Sequence, residues 1–216
     1  MKISNTPALR RMPTYLHRLF RLRLSGQEWV SCAELAQYMN IPHIVVRKDI
    51  AMTALPGNKR HGFRVNELIN AILHLIGWDQ ASAATLIGAG SLGAALLGFD
   101  DFQSYNFRIE SVFDSSPDKI GSFIHGHEIF DLADIRSRLK SCPPKVGIIC
   151  VPAVSAQIVA DILISLDIRY IWNFSNVCLN VPPGVIVQRE VIAGGLAVLF
   201  AKIKKAESGE NISGEE

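Results

Sequence analysis

The stretch TLIGAGSLGAALLGFDDF, Thr85 to Phe102, constrains this chain more than any other. An apolar run, a turn rich in glycine and a helical run follow one another, the order of a strand, a tight loop and a helix packed back on the strand. Gly88, Gly90 and Gly93 fill the G-x-G-x-x-G template. The first permits the turn, the second lets a pyrophosphate approach the backbone, and the third lets helix and strand pack closely. The N–H groups that open the helix, at Ser91 and Leu92, then face the phosphates. About 20 residues beyond the last glycine, Asp114 ends the next predicted strand, where a carboxylate accepts from the adenosine ribose hydroxyls and repels a 2′-phosphate. The pattern predicts dinucleotide binding, NAD in preference to NADP, with coenzyme A or another nucleotide as the alternative. Lys119 is placed to neutralise a phosphate.

Beyond Trp78, apolar strands alternate with helices, which favours a parallel sheet with helices on both faces, because parallel neighbours need crossover connections. Strands are predicted at Ala83–Ile87, Arg108–Phe113, Val146–Val151, Ile168–Trp172 and Val177–Leu179. Helices fill Leu92–Leu97, Leu132–Leu139 and Val154–Leu166, and a last one spans about Val191 to Lys205, before a polar, acidic tail.

The first 76 residues read differently. They carry 11 Lys/Arg against 4 Asp/Glu, net +7, whereas the remaining 140 carry 11 against 16, net −5. Such asymmetry points the front third at a polyanion. A basic amphipathic helix is predicted from Pro13 to Leu24. A capping box, Ser31 with Glu34, opens a second helix that ends near Asn40. A third starts at about His43, with Pro42 in its first turn and Ile44, Val45 and Ile50 available to the core. A basic hairpin, PGNKRHGFRV, follows, then a fourth helix capped by Asn66 and ended by Gly77. Helix, turn, helix and hairpin make a winged helix-turn-helix. Arg47, Lys48 and Asp49 fall on the helix that enters a major groove, and Lys59, Arg60 and Arg64 fall on the wing, facing phosphates or the minor groove.

Several functions are disfavoured. The longest apolar run near the end, Val191 to Ala201, is too short for the roughly 20 residues that span a bilayer, so no membrane anchor is predicted. Cys32, Cys142, Cys150 and Cys178 are too widely spaced for a Cys-x-x-Cys motif and read as reduced thiols of a cytoplasmic protein. A nicotinamide enzyme needs a group to move a proton beside the hydride. His125 and His127 are the nearest candidates, and they lack a third partner for a metal. A sensor without catalytic residues is favoured over a small NAD-dependent oxidoreductase.

Five stretches in order, VRKDI, GAGSLGAALLGFDDF, VFDSSPDKIG, CVPAVSAQIVADILISLDI and WNFSNVCLNVPPGVIV, resemble the Rex family of redox-sensing transcriptional repressors. The resemblance implies an α/β homodimer. Its N-terminal winged helix (residues 1–77) binds operator DNA, its Rossmann-like parallel sheet (78–188) binds NADH and NAD, and its C-terminal helix (189–205) exchanges between subunits ahead of a flexible tail (206–216). It implies that NADH releases the operator. It also implies that Val151, Pro152 and Ala153 lie beside the nicotinamide ribose, and that Asn173 and Phe174 belong to a further cofactor-binding segment. Ala54 and Arg60 stand where the family commonly has Gly, Phe99 where it often has Tyr, and Val191 where Asp is frequent. Since that Tyr and Asp pair across the family's dimer, the switch is expected to be retuned or weakened here.

Overall fold

In the computed structural model, which describes residues 6–208, helix α1 runs from Thr6 to Leu24. It begins seven residues before the predicted start at Pro13, which lies inside it. An interior proline removes a hydrogen bond and crowds the preceding turn. Ala8, Met12, Tyr15, Leu16, Leu19 and Leu22 are nevertheless buried along one stripe, and that packing carries the helix past Pro13.

Strand β1 (Trp29–Val30) precedes α2 (Cys32–Met39) and α3 (His43–Ala51). The capping box forms as predicted: the Ser31 hydroxyl accepts from the Glu34 N–H, and the Ser31 N–H donates to the Glu34 carboxylate. Asn40, in the left-handed region, ends α2. Strand β2 (Phe63–Arg64) pairs antiparallel with β1, and α4 (Val65–Ile76) follows without a break. Asn66 is therefore not the cap of α4. The Val65 N–H donates to the Glu28 carbonyl, so the chain passes from ladder to helix with Arg64 in the cap position. Asn58 and Gly62 close the wing hairpin through two backbone hydrogen bonds, and the Asn58 side chain accepts from the N–H groups of Arg60 and His61.

After α3 the chain turns at Ala54, whose φ of 56° lies in the left-handed region. A Cβ is disfavoured there by about 1–2 kcal/mol, whereas Gly adopts it freely at some cost in unfolded-state entropy. Ala54→Gly should raise the stability of the N-terminal unit by about 0.5–1 kcal/mol, read as a higher urea midpoint at unchanged slope.

The chain divides into two units between Gln80 and Ala81, just past the boundary expected at Gly77. The second unit contains β3 (Ser82–Ile87), α5 (Ser91–Leu97), α6 (Asp101–Ser104), β4 (Phe107–Asp114), β5 (Phe123–Ile124), β6 (His127–Asp131), α7 (Ile135–Leu139), β7 (Val146–Ile149), α8 (Ala153–Ser165), β8 (Tyr170–Asn173), β9 (Ile186–Arg189) and α9 (Ile192–Glu207). The sheet order is β5-β6-β4-β3-β7-β8-β9, parallel throughout except for the β5–β6 hairpin. Successive side chains on a strand point to opposite faces. Ile87, Phe113 and Ile149 thus join Val159 and Leu163 of α8 in one core, while Leu86, Val112 and Ile148 join Leu96 and Leu97 of α5 in the other.

Two sequence expectations fail in this unit. Val177–Leu179 is not a strand, because the Asn173 side chain folds the chain back on itself: its carbonyl accepts from the Ser175 N–H and hydroxyl, and its amide donates to the Val177 carbonyl. Val177 and Leu179 are apolar because they pack on the core from a loop. The edge strand is instead β9, in register with β8 from Tyr170↔Ile186 to Asn173↔Arg189. The hairpin strands β5 and β6 were also unforeseen. The last helix runs through Glu207, into the segment expected as tail, and 209–216 lie outside the described residues.

Candidate functional site

The strand order reverses between β3 and β7, and a cleft of about 650 Å³ opens at their carboxyl ends. This is the switch point at which open parallel sheets bind ligands. Gly88 has φ +102°, and a Cβ on it would stand 2.5 Å from the Cys150 carbonyl oxygen. At Gly93 a Cβ would stand 2.1 Å from the Gly88 carbonyl oxygen. These two glycines serve the fold. Gly90, by contrast, lines the cleft and has no atom within 4 Å of where its Cβ would be.

Asp114 is held at the cleft floor by three donors: Ser116 N–H to Oδ1 at 2.9 Å, and Ala89 N–H at 2.8 Å and Lys119 Nζ at 3.0 Å to Oδ2. Burial would raise this carboxyl, but the bonds from Ser116, Lys119 and Ala89 outweigh it and hold the group below the ordinary value of 3.8. A carboxyl lowered on folding adds stability above its unfolded value, and that stability is lost as pH falls through the folded one. The melting-temperature gap between wild type and Asp114→Asn should therefore be widest near neutrality and shrink below about pH 4.

Leu92, Val151, Pro152 and Phe174 line the cleft with Gly88, Gly90, Asp114 and Lys119. Ser91 and Ala153 are exposed at the starts of α5 and α8, outside its lining, so their side chains do not form the wall. Asn173 departs from expectation: it is fully buried, and its amide is spent on the 173–177 turn that positions Phe174. Ser115, Leu132, Cys150, Ser155, Ile158 and Val159 also line the cleft and were not foreseen. Ser115 and Cys150 adjoin predicted residues. Ile158 and Val159 lie on a helix apolar around most of its circumference, so periodicity did not reveal which face meets the cleft.

Burial pushes the Cys150 thiol up to about 12, which leaves it protonated and poorly nucleophilic. His125 and His127 do not line the cleft: His125 and Gly126 form the two-residue turn of the β5–β6 hairpin, with His125 against Gly98, and His127 begins β6. Among the described residues no three His, Cys, Asp or Glu side chains gather as a metal site, and the four cysteines are free. No helix among them is long and apolar enough to cross a membrane. Phe99 and Val191 line one apolar groove with Phe102, Trp172, Phe174 and Ile192.

In the first unit, Arg47 and Lys48 are exposed on α3. Asp49 is not, which corrects its assignment to the DNA-facing surface. Its carboxylate turns inward and is 3 % exposed. It accepts from Arg11 Nε at 2.7 Å and Nη2 at 2.8 Å, and from the Tyr15 hydroxyl at 2.9 Å. Burial, then the bond to Asp49, pushes the Tyr15 hydroxyl well above its ordinary range, so it remains a donor. Val46 and Ile50, not the exposed Ile44, fill the core beside Asp49. On the wing, Lys59 and Arg60 are exposed, and Arg64 lies over the Trp29 ring, 4.9 Å from its centroid.

Residues 79–177 match the family model described as "CoA binding domain", and residues 2–51 match that described as "Putative DNA-binding protein N-terminus". The chain is 36% identical over 198 residues to the redox-sensing transcriptional repressor Rex of Treponema denticola, covering 92% of this chain and 94% of that one. Among solved structures it is similar to RSP, a Rex-family repressor, at 28% identity. The RSP complex with NAD⁺ and operator DNA gives a TM-score of 0.83 over 96% of this chain and 95% of that one, and the complex with NADH gives 0.80 over 96% and 97%. On that identity over most of both chains, the chain belongs to the Rex family of redox-sensing transcriptional repressors.

Proposed function

We propose that this chain is a DNA-binding repressor that senses the NADH/NAD⁺ balance and leaves its operator when NADH binds. The observation that carries the reading is the presence, in one member of the Rex family, of a glycine-lined cleft at the switch point of the sheet and of a winged helix with Arg47 and Lys48 side by side on its exposed face. In this reading Gly90 and the helix start at Ser91 and Leu92 cradle the pyrophosphate, on a loop whose shape Gly88 and Gly93 set. Asp114 meets the adenosine ribose, and Val151, Pro152, Ala153 and Phe174 form the nicotinamide end. Asn173 acts through the turn that sets Phe174.

Arg47 pairs with a guanine edge, while Lys48 and the wing residues Lys59, Arg60 and Arg64 meet the backbone or the minor groove. Helix α9 buries none of its residues within its own chain, and Ile192, Leu196, Val198, Leu199 and Phe200 are each more than half exposed. That apolar surface supports a homodimer in which α9 packs on a second copy. The cleft lining contains no His or Tyr, and its one Lys is paired with Asp114, which favours a sensor over an oxidoreductase.

NADH must bind the DNA-releasing state better than the DNA-bound one, since equal affinity shifts nothing. A gel-shift titration with operator duplex should show NADH weakening the complex far more than NAD⁺. Equal effects of the two would reject the reading. The match of 79–177 to a coenzyme A-binding model favours one second reading, in which the cleft takes the adenosine diphosphate of coenzyme A. Displacement of bound NADH by equimolar coenzyme A would support it.

A further inference from the structure

The acidic residue at the cleft floor does not stand alone. Lys119 also lines the cleft, and its ammonium lies 3.0 Å from Asp114 Oδ2. We propose that Lys119 sets the selectivity between NAD(H) and NADP(H), by occupying the Asp114 acceptor that a ribose needs and by offering a cation to a 2′-phosphate. This inference rests on the reading of the cleft as a dinucleotide site.

A carboxylate offers about four lone-pair positions, two on each oxygen. On Oδ2 both are taken, by the Ala89 N–H and by Lys119, and on Oδ1 one is taken, by the Ser116 N–H. Two vicinal ribose hydroxyls therefore find one position open and need a second. The Ala89 and Ser116 donors are backbone groups of the loops that build the cleft, and they do not leave without opening it. Lys119 is the replaceable donor. Its backbone is pinned by a turn, with its N–H donating to the Ser116 carbonyl at 3.0 Å, while its side chain is 38% exposed at the end of a flexible stem. A ribose displaces the ammonium into solvent.

A 2′-phosphate meets a different situation. Facing Asp114 alone it would be repelled, but the carboxylate already carries its own counter-charge. The ammonium can rotate from Asp114 toward the phosphate, so the pair discriminates less sharply than a lone carboxylate would. Attraction of Lys119 for the pyrophosphate, which both cofactors share, cancels in the ratio of their affinities.

The test is to titrate the full-length protein, its Lys119→Met and its Lys119→Arg variants with NADH and with NADPH, following nicotinamide fluorescence, and to record each variant's melting temperature. In Lys119→Met the ratio of the NADPH to the NADH dissociation constant should rise about tenfold, beyond any loss that the two cofactors share through the pyrophosphate. Lys119→Arg should restore a ratio close to wild type, because it keeps the charge. An unchanged ratio, or an equal loss of both cofactors in Lys119→Met, overturns the proposal while wild-type binding of NADH leaves the dinucleotide reading standing. A loss of both cofactors accompanied by a collapsed melting temperature counts against it as well, because it makes Lys119 structural. Wild type that binds neither cofactor overturns both.

Discussion

Gly93→Ala should leave a protein that neither binds a dinucleotide nor keeps its C-terminal unit stable, while Gly90→Ala should lose the ligand alone. The two glycines lie three residues apart in one loop, yet their surroundings are opposite. A methyl group at Gly93 would fall 2.1 Å from the Gly88 carbonyl oxygen, well inside contact distance of a backbone atom that cannot rotate away. The start of α5 would have to lift from β3, and forced overpacking of this kind costs about 3 kcal/mol. At Gly90 the same methyl group meets nothing in the protein, and its φ of −78° suits any residue. The methyl group would instead stand where a pyrophosphate approaches, with an expected loss of more than about tenfold in NADH affinity. Thermal melts paired with NADH titrations separate the two outcomes. Equal melting temperatures for Gly93→Ala and wild type would contradict the packing argument, and undiminished NADH binding by Gly90→Ala would contradict the placement of the phosphates.

The second large effect is expected at Asp49. Its carboxylate ties α3 to α1 through three charge-assisted bonds, two from Arg11 and one from Tyr15. Asp49→Ala would strand the Arg11 guanidinium and the buried Tyr15 hydroxyl without their acceptor. Removing one partner of a largely buried pair costs about 3–5 kcal/mol, and the 23% exposure of the Arg11 side chain places this case at about 3. Denaturant unfolding should report that loss, and operator binding should fall with it because α3 is no longer held in place. Arg47→Ala, two residues away and exposed, should leave the unfolding midpoint unchanged and still weaken the operator complex by about 1–3 kcal/mol. If Asp49→Ala lost DNA binding at full stability, the carboxylate would be acting on the DNA after all.

The contrast between Asp49 and Arg47 shows where reading a sequence stops. VRKDI places three charges in a row on a helix, and one turn of helix spreads them over most of its circumference. Which of them points inward depends on the side chain that waits there, and Arg11 is 38 residues away. Asn173 repeats the lesson. As part of a cofactor-binding segment it was expected near the ligand, but the acceptor and donor groups that claim its amide belong to a turn that only the folded loop creates. The same turn explains the missing strand at Val177–Leu179, where apolar residues serve a loop packed on the core. The edge strand β9 was invisible because a short pairing segment at a sheet edge acquires its identity from the neighbour, here β8, that it lies against.

What was legible beforehand consists of interactions that close within a few residues or within one strand–loop–helix unit. The Ser31–Glu34 capping box, the stop at Gly77, the glycine template, Asp114 at the end of β4 and the division into a basic and an acidic part all fall in this class, because the atoms that satisfy them are neighbours along the chain. Tertiary structure alone decided the burial of Asp49 and the passage of α1 through Pro13. Each of these depends on which groups compete for one lone pair or one pocket of space, and that competition begins only when distant segments have come together.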